Sequence, residues 1–321
     1  MREITYAEAI NEAQRFAMRE NPEVILFGEN VSSSWRAATK GLKEEFGRER
    51  VRDAPITETA FIGTGVGAAV AGMRPIVELM LVDFGLVAMD QILNQMAKTT
   101  YMTGGNVSVP MVLRAIYGAG GGNAATHSES LYGIYAHMPG MKVAVPATPY
   151  DAKGLLLTAI RDPNPVVFFE HRLLYSARGH VPEEPYEVPF GVANLVREGR
   201  DVTVVAVGKM VQEAVKAADE LKGKVSVEVL DPRTLVPLDE EAILRSLQKT
   251  GRLVVVDEDY ERCGFSAEVA AVAAEKGFRS LRAPVARVAN PNVPIPFNRS
   301  LERHVLPDAE KIVRAINSVV K

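Results

Sequence analysis

Short apolar runs that alternate with helical stretches constrain this chain most. Residues 24–28 (VILFG), 75–82 (PIVELMLV), 111–116, 143–145 and 166–169 each have the length and apolar density of a buried strand. Between them, residues 6–19 carry helical spacing, and the small residues after Glu58 form a helix up to Gly72. Leu86, Met89, Leu93 and Met96 mark one face of a further helix. Thr148 is placed to cap another, with Pro149 in the first turn and Asp151 completing a capping-box-like pattern. This order is that of repeated β-α-β units and predicts a mostly parallel sheet covered by helices on both faces.

The pattern breaks at residues 180–200, a Pro/Glu-rich and charged stretch that reads as a linker. Beyond it, strands are predicted at 202–207, 225–230 and 253–257, with helices near 211–221 and 240–247 and a closing helix at 308–320. A length of 321 residues exceeds one typical core. The expectation is therefore an α/β protein of two parallel or mixed-sheet domains, 1–190 and 191–321.

Composition narrows the partners. A net charge of -3 without a dense Lys/Arg run argues against nucleic-acid binding. Cys263, the single cysteine, excludes an internal disulfide and a thiolate zinc cage, and suits a reducing, cytoplasmic setting. The first residues carry no apolar signal region, and no run is long and clean enough to span a bilayer, so a soluble chain without membrane contact is expected.

Two candidate functional residues stand out. Glu58 sits in ITETAFIGTGVG, a carboxylate beside small and apolar residues, where burial can hold a proton near neutral pH. It also opens a helix, where an acid meets the positive end of the macrodipole, so position alone leaves capping and catalysis open. The run 63–67 (GTGVG) lacks the full dinucleotide spacing and reads better as a helix packed close to another backbone. The second glycine-rich stretch, 118–123 (GAGGGN), predicts a mobile loop that leads to His127. A histidine there suits proton transfer near neutrality. His137, His171, His180 and His304 form no metal-ligand spacing, and no Gly-x-Ser-x-Gly elbow presents a serine nucleophile.

Several motifs occur together in order: 56–58 (ITE), 78–84 (ELMLVDF), Asp90-Gln91, Thr126-His127-Ser128, 150–156 (YDAKGLL) and 159–162 (AIRD). Across essentially the whole chain this resembles the β subunit of the thiamine-diphosphate-dependent decarboxylase component of 2-oxo acid dehydrogenase complexes. The resemblance implies a pyrimidine-type thiamine-binding domain followed by a transketolase C-terminal-like domain. The segments VDF, DQILNQ and SLY are especially similar to acetoin dehydrogenase β subunits.

By that resemblance, Glu58 matches the glutamate that hydrogen-bonds a pyrimidine nitrogen of the cofactor. His127 matches the histidine of proton handling and acyl transfer to a lipoyl group. Phe84 matches the aromatic residue packed on the aminopyrimidine, Ile56 and Met80 its apolar wall, and Glu29 another acid near the cofactor. Phe84 and Met80 would serve equally as core. A monovalent cation such as K+ is implied at Met111, Ala159, Ile160, Asp162 and Asn164, where carbonyls at a helix end favour positive charge.

Thiamine enzymes usually hold Mg2+ and the diphosphate with a Gly-Asp-Gly motif, and this chain has none. The resemblance therefore implies an α subunit that supplies those ligands, an α2β2 heterotetramer, and a lipoyl-bearing acyltransferase core. Ala54, Thr126 and Glu129 depart from the usual threonine, glutamine and glutamine, and bear on substrate. The implied reaction is oxidative decarboxylation of pyruvate or a branched-chain 2-oxo acid, or cleavage of acetoin. A transketolase-like ketol transferase and a non-catalytic scaffold are the other readings.

Overall fold

The computed structural model describes residues 2–33 and 37–321. Its elements, in chain order, are β1 (Arg2–Thr5), α1 (Tyr6–Glu20), β2 (Val24–Gly28), α2 (Leu42–Phe46), β3 (Val51–Asp53), α3 (Glu58–Val70), β4 (Arg74–Leu81), α4 (Ala97–Met102), β5 (Val112–Tyr117), α5 (Tyr132–His137), β6 (Lys142–Ala144), α6 (Pro149–Arg161), β7 (Val166–His171) and β8 (Arg178–Val181). There follow β9 (Asn194–Arg197), β10 (Val202–Ala206), α7 (Met210–Glu220), β11 (Val227–Asp231), β12 (Thr234–Val236), α8 (Glu240–Thr250), β13 (Leu253–Tyr260), α9 (Phe265–Lys276), β14 (Ala286–Asn290), α10 (Arg299–Val305) and α11 (Ala309–Val320). The chain divides into two compact units. The first runs up to Tyr117 and resumes over Tyr135–Phe190; the second comprises Gly118–Ile134 and Gly191–Lys321.

In the first unit β6, β7, β5, β4, β2 and β3 lie side by side in that order, and each neighbouring pair is parallel. Local chemistry starts the helices where the sequence predicts. Thr5 and Glu8 close a reciprocal capping box on α1, with Glu8 N donating to the Thr5 hydroxyl (3.2 Å) and Thr5 N to the Glu8 carboxylate (2.7 Å). The Thr148 hydroxyl accepts from Asp151 N (3.1 Å) at the head of α6, with Pro149 in its first turn. Alanines at 9, 13 and 17 let α1 lie close to α6, and Ile10, Leu155, Leu156, Leu26, Ile76 and Phe168 fill one buried cluster. Burying side chains of this size stabilises by about 1.5–3 kcal/mol each.

Two sequence expectations need correction. The segment expected as one regular helix is wound in three ways: Val82–Ala88 as a 3-10 helix, Asp90–Met96 as a π-helix, and α4 as an α-helix. The three-residue repeat of the first part buries Val82, Gly85 and Ala88 and leaves Leu86 half exposed, so the predicted stripe does not form. The supposed linker at 180–200 is partly sheet. β8 pairs antiparallel with β1, and β9 pairs antiparallel with β11. The chain between them is held by Lys153, whose fully buried ammonium donates to the carbonyls of Pro182 (2.6 Å) and Glu183 (3.0 Å).

The second unit is a five-stranded sheet in the order β14-β13-β10-β11-β9, parallel except at the β9 edge. Helix α7 packs with α11 and α8 with α9, two pairs against the same sheet. Asp239 and Asp308 cap α8 and α11, and Gly251 ends α8 in the left-handed conformation at φ 73°.

The closest approach in the first sheet is at Gly28, with φ 139°, where an added Cβ would lie 2.1 Å from the Glu78 carbonyl oxygen. Gly28→Ala should therefore destabilise the chain by at least ~2 kcal/mol, read as a lower midpoint in urea unfolding. An unchanged midpoint would contradict the strand spacing.

Candidate active site

Strand register sets the charges of the first unit. Gly28 stands opposite Glu78 across β2 and β4, and Glu78 opposite Arg114 across β4 and β5. Glu78 and Arg114 are therefore neighbours on one face of the sheet. The Arg114 guanidinium forks onto Glu170 of β7 (2.6 and 2.8 Å) and also reaches Glu78 (2.7 Å) and Gln14 of α1 (3.1 Å). Arg114 is held in its charged form: burial alone would lower its pKa, and Glu170 and Glu78 reverse that.

Just beyond the strand ends lie the predicted acids. Glu29 follows β2 and is 6 % exposed; Glu58 is the first residue of α3 and is 7 % exposed. Crevices outside the carboxyl ends of parallel strands are where open α/β sheets bind ligands. The Glu29 pKa is pushed up to about 7, first by burial and then by the charge of Glu58. Glu29 Oε1 is buried and has no hydrogen-bond partner among the described residues. An orphaned buried carboxyl oxygen of this kind suits a polar ligand.

Met80 is brought to the same place by a bulge. The β4–β5 register shifts between Glu78 and Leu81, and Met80 takes φ 73°. Its sulfur accepts from Asn30 Nδ2 (3.3 Å), and Asn30 itself stands at φ 53°. Non-glycine residues in the left-handed region store strain that surrounding structure must maintain. Phe84 is half-buried against the core cluster. Ile56, 75 % exposed, can offer an apolar wall only to something outside this chain.

His127 belongs to the second unit and is exposed, its Nδ1 2.9 Å from the Thr126 hydroxyl. The glycine-rich segment before it is more anchored than its composition suggests. Ala119 N donates to the buried Glu258 carboxylate (2.7 Å), and Gly120 N (2.8 Å) and Gly122 N (3.0 Å) donate to Glu302, also buried. Carboxylates that accept backbone N–H groups make strong, directional bonds. Neither Glu258 nor Glu302 is marked by a local motif, so sequence reasoning missed both.

Behind this loop, Asp257 accepts from the Tyr132 hydroxyl, Asp259 N (2.9 Å) and Ser266 N (2.8 Å). Those donors favour its ionised form, although burial pushes its pKa up. Asp259 is pushed up to about 8 by burial first and by the Asp257 charge second.

The predicted cation ligands gather where α6 ends and β5 begins, but protein groups already serve them. Arg74 donates to the carbonyls of Ile160 (2.8 Å) and Asp162 (3.2 Å), and Lys142 pairs with the Asp162 carboxylate. Asn164 N donates to Asp162 (2.8 Å), Val166 N to the Met111 carbonyl (2.9 Å) and Asp162 N to the Ala159 carbonyl (3.3 Å). Among the described residues no group of three or more His, Cys, Asp or Glu side chains could hold a metal ion, and no helix is long and apolar enough to cross a membrane.

Residues 2–178 match the family described as transketolase, pyrimidine binding domain, and residues 191–312 match transketolase, C-terminal domain. A solved split-gene transketolase, an inactive β4 tetramer, superposes with a TM-score of 0.80 at 25 % identity, covering 99 % of this chain and 98 % of that one. Fold and domain order thus define a transketolase-type chain.

The acetoin:2,6-dichlorophenolindophenol oxidoreductase subunit beta of Bacillus subtilis (strain 168) is 48 % identical, over 97 % of this chain and 96 % of that protein. The pyruvate dehydrogenase E1 component subunit beta-1, mitochondrial, of Arabidopsis thaliana is 45 % identical, over 98 % and 88 %. The 2-oxoisovalerate dehydrogenase subunit beta of B. subtilis is 41 % identical, over 99 % of both. The chain belongs to this family of β subunits of thiamine-dependent 2-oxo acid and acetoin dehydrogenases.

Asp259 generates a pH prediction. Its folded-state pKa of about 8 lies above the ordinary ~4 of an unfolded aspartate, so the native state keeps a proton that the unfolded chain releases. That contribution is complete below about pH 4 and is lost as pH rises to about 8. Thermal unfolding of Asp259→Asn should show a flatter dependence of Tm on pH across this window than the parent chain. An equally steep dependence would contradict the assignment.

Proposed function

We propose that this chain forms the β half of a thiamine-diphosphate-dependent dehydrogenase site. The observation that carries the reading is that two buried carboxyls, Glu29 and Glu58, follow the ends of parallel strands in a pyrimidine-binding-type unit, the charge of one raising the pKa of the other. Glu58, at the first turn of α3, would share its proton with a ring nitrogen of the cofactor. Met80 and the half-buried Phe84 would supply apolar contact to the ring, and Ile56 would do so from the surface. Bound thiamine diphosphate supplies the carbanion-stabilising chemistry that no side chain offers.

Mg2+ and the diphosphate are assigned to a separate α subunit, in keeping with the missing Gly-Asp-Gly motif, and the assembly proposed is α2β2. His127 is assigned to proton handling at the substrate. The Thr126 hydroxyl at Nδ1 orients the ring, which gives Nε2 that task. Acyl transfer would pass to a lipoyl-bearing acyltransferase core, in a cytoplasmic setting consistent with the one cysteine, Cys263, being free. Among substrates, 2-oxo acids and acetoin both fit the family, and the 48 % identity to an acetoin oxidoreductase subunit favours acetoin as the second reading.

Co-expression with its α subunit and dye reduction with pyruvate, a branched-chain 2-oxo acid and acetoin tests the reading. At least one substrate should be turned over, and Glu58→Ala should lower that rate by about 10²–10⁴-fold while assembly is kept. Full activity in the assembled variant would remove Glu58 from the mechanism.

A K+ ion at Met111, Ala159, Ile160, Asp162 and Asn164 is part of the proposal, and it would share the Ile160 and Asp162 carbonyls with Arg74. Thermal unfolding in potassium chloride should then have a higher midpoint than in choline chloride at equal ionic strength. Equal midpoints would leave Arg74 as the cation of that site.

A further inference from the structure

Behind Glu58, the first unit buries more acid than base. Glu29, Glu58, Glu78 and Glu170 are each less than a tenth exposed, and Arg114 is the guanidinium paired with Glu78 and Glu170. Its fork is committed to Glu170, which also accepts from the Tyr175 hydroxyl; Glu78 receives one arm, shared with Gln14. Glu29 receives none of it. Three carboxyls, Glu29, Glu78 and Glu170, near this one guanidinium would leave uncompensated charge in a low-dielectric interior, and carboxyls so placed hold a proton between them instead.

The geometry gives that proton two addresses. Glu29 and Glu78 are joined through the backbone, Glu29 N donating to the Glu78 carbonyl (3.1 Å), and both line a cavity of about 10 Å³ together with Asn30, Met80, Arg114 and Tyr175. Such a space holds about one water, enough to bridge two carboxyls. The charged and titratable groups facing the pair are Glu58 from α3, Arg114 from β5, Glu170 from β7 and Tyr175 just after it.

We propose that Glu29 and Glu78 share a single proton behind Glu58, which makes Glu78 a positioning residue of the site that sets the charge Glu58 faces. The inference rests on the thiamine reading for its catalytic consequence but not for the proton itself. Supporting it, burial pushes Glu78 up to about 7 against the opposing pull of Arg114, with Glu170 and Glu29 adding to the rise. Glu29 is pushed to about the same value. Two interacting groups of this kind titrate as a pair, so the step belongs to both. While the proton is held, the Glu29–Glu78 pair carries one negative charge; once it leaves, the pair carries two, and Glu58 meets the added charge.

Infrared difference titration of the full chain without cofactor, from about pH 5.5 to about pH 9, tests the proton directly. The parent chain should lose one protonated-carboxyl band near neutrality; Glu78→Gln should move that step down by about one pH unit, and Glu29→Gln combined with Glu78→Gln should abolish it. In the assembled enzyme, Glu78→Gln should move the alkaline limb of kcat/KM down by about one pH unit, because Glu29 then ionises without a competing anion. Glu29→Gln, permanently neutral, should move the limb upward. A band that survives both substitutions, or limbs that move in the same direction, would overturn the proposal. The infrared step needs no turnover, so an inactive complex with a normal step would count against the reaction and not against the shared proton.

Discussion

The Arg114 guanidinium, clasped by Glu170 and Glu78 in the middle of a parallel sheet, is the interaction on which the first unit depends. Breaking a buried pair by removing one partner typically costs ~3–5 kcal/mol, because the remaining charge stays buried. Here the consequence extends beyond stability. With Arg114 in place, acids on the two strands that flank β5 can lie inside a packed core, and Glu29 and Glu58 can be buried beyond the strand ends. A site that depends on a carboxyl keeping its proton near neutrality needs this kind of surrounding.

The fold positions the remaining parts by backbone means. Gly28 lets β2 lie against the Glu78 backbone, and the bulge in β4 re-aims Met80 toward Asn30. In the second unit the same economy of charge recurs in another form. Glu258 and Glu302 are spent on backbone N–H groups of the glycine-rich loop, which gives the segment before His127 a fixed anchorage instead of the freedom that its glycines allow. Asp257 and Asp259, next to Glu258 in β13, brace α5 through the Tyr132 hydroxyl and Gly133 N.

Much of this was legible in the sequence. Apolar runs such as 24–28 and 166–169 lie in strands, the cap at Thr148 begins a helix as its side chain dictates, and the closing helix expected from 308 forms over Ala309–Val320. What periodicity could not show was pitch: the change from 3-10 to π to α winding after Val82 moves the buried face away from the Leu86 stripe. Pairing was equally out of reach. Glu78, Arg114 and Glu170 are each charged residues within apolar strands, but only the register reveals that they meet. Glu258 and Glu302 lie more than 100 residues from the loop they hold, and no local pattern links them to it.

This chain is proposed to carry half of a cofactor site: the acids and apolar surface that would meet a thiamine ring, without the Gly-Asp-Gly motif for its diphosphate. Calorimetric titration of thiamine diphosphate and Mg2+ into this chain alone, into the α subunit alone, and into the two together tests that claim most directly. Binding should be saturable in the mixture and at least 10-fold weaker to either chain alone, about 1.4 kcal/mol or more. Binding to this chain alone as tight as to the mixture would contradict it.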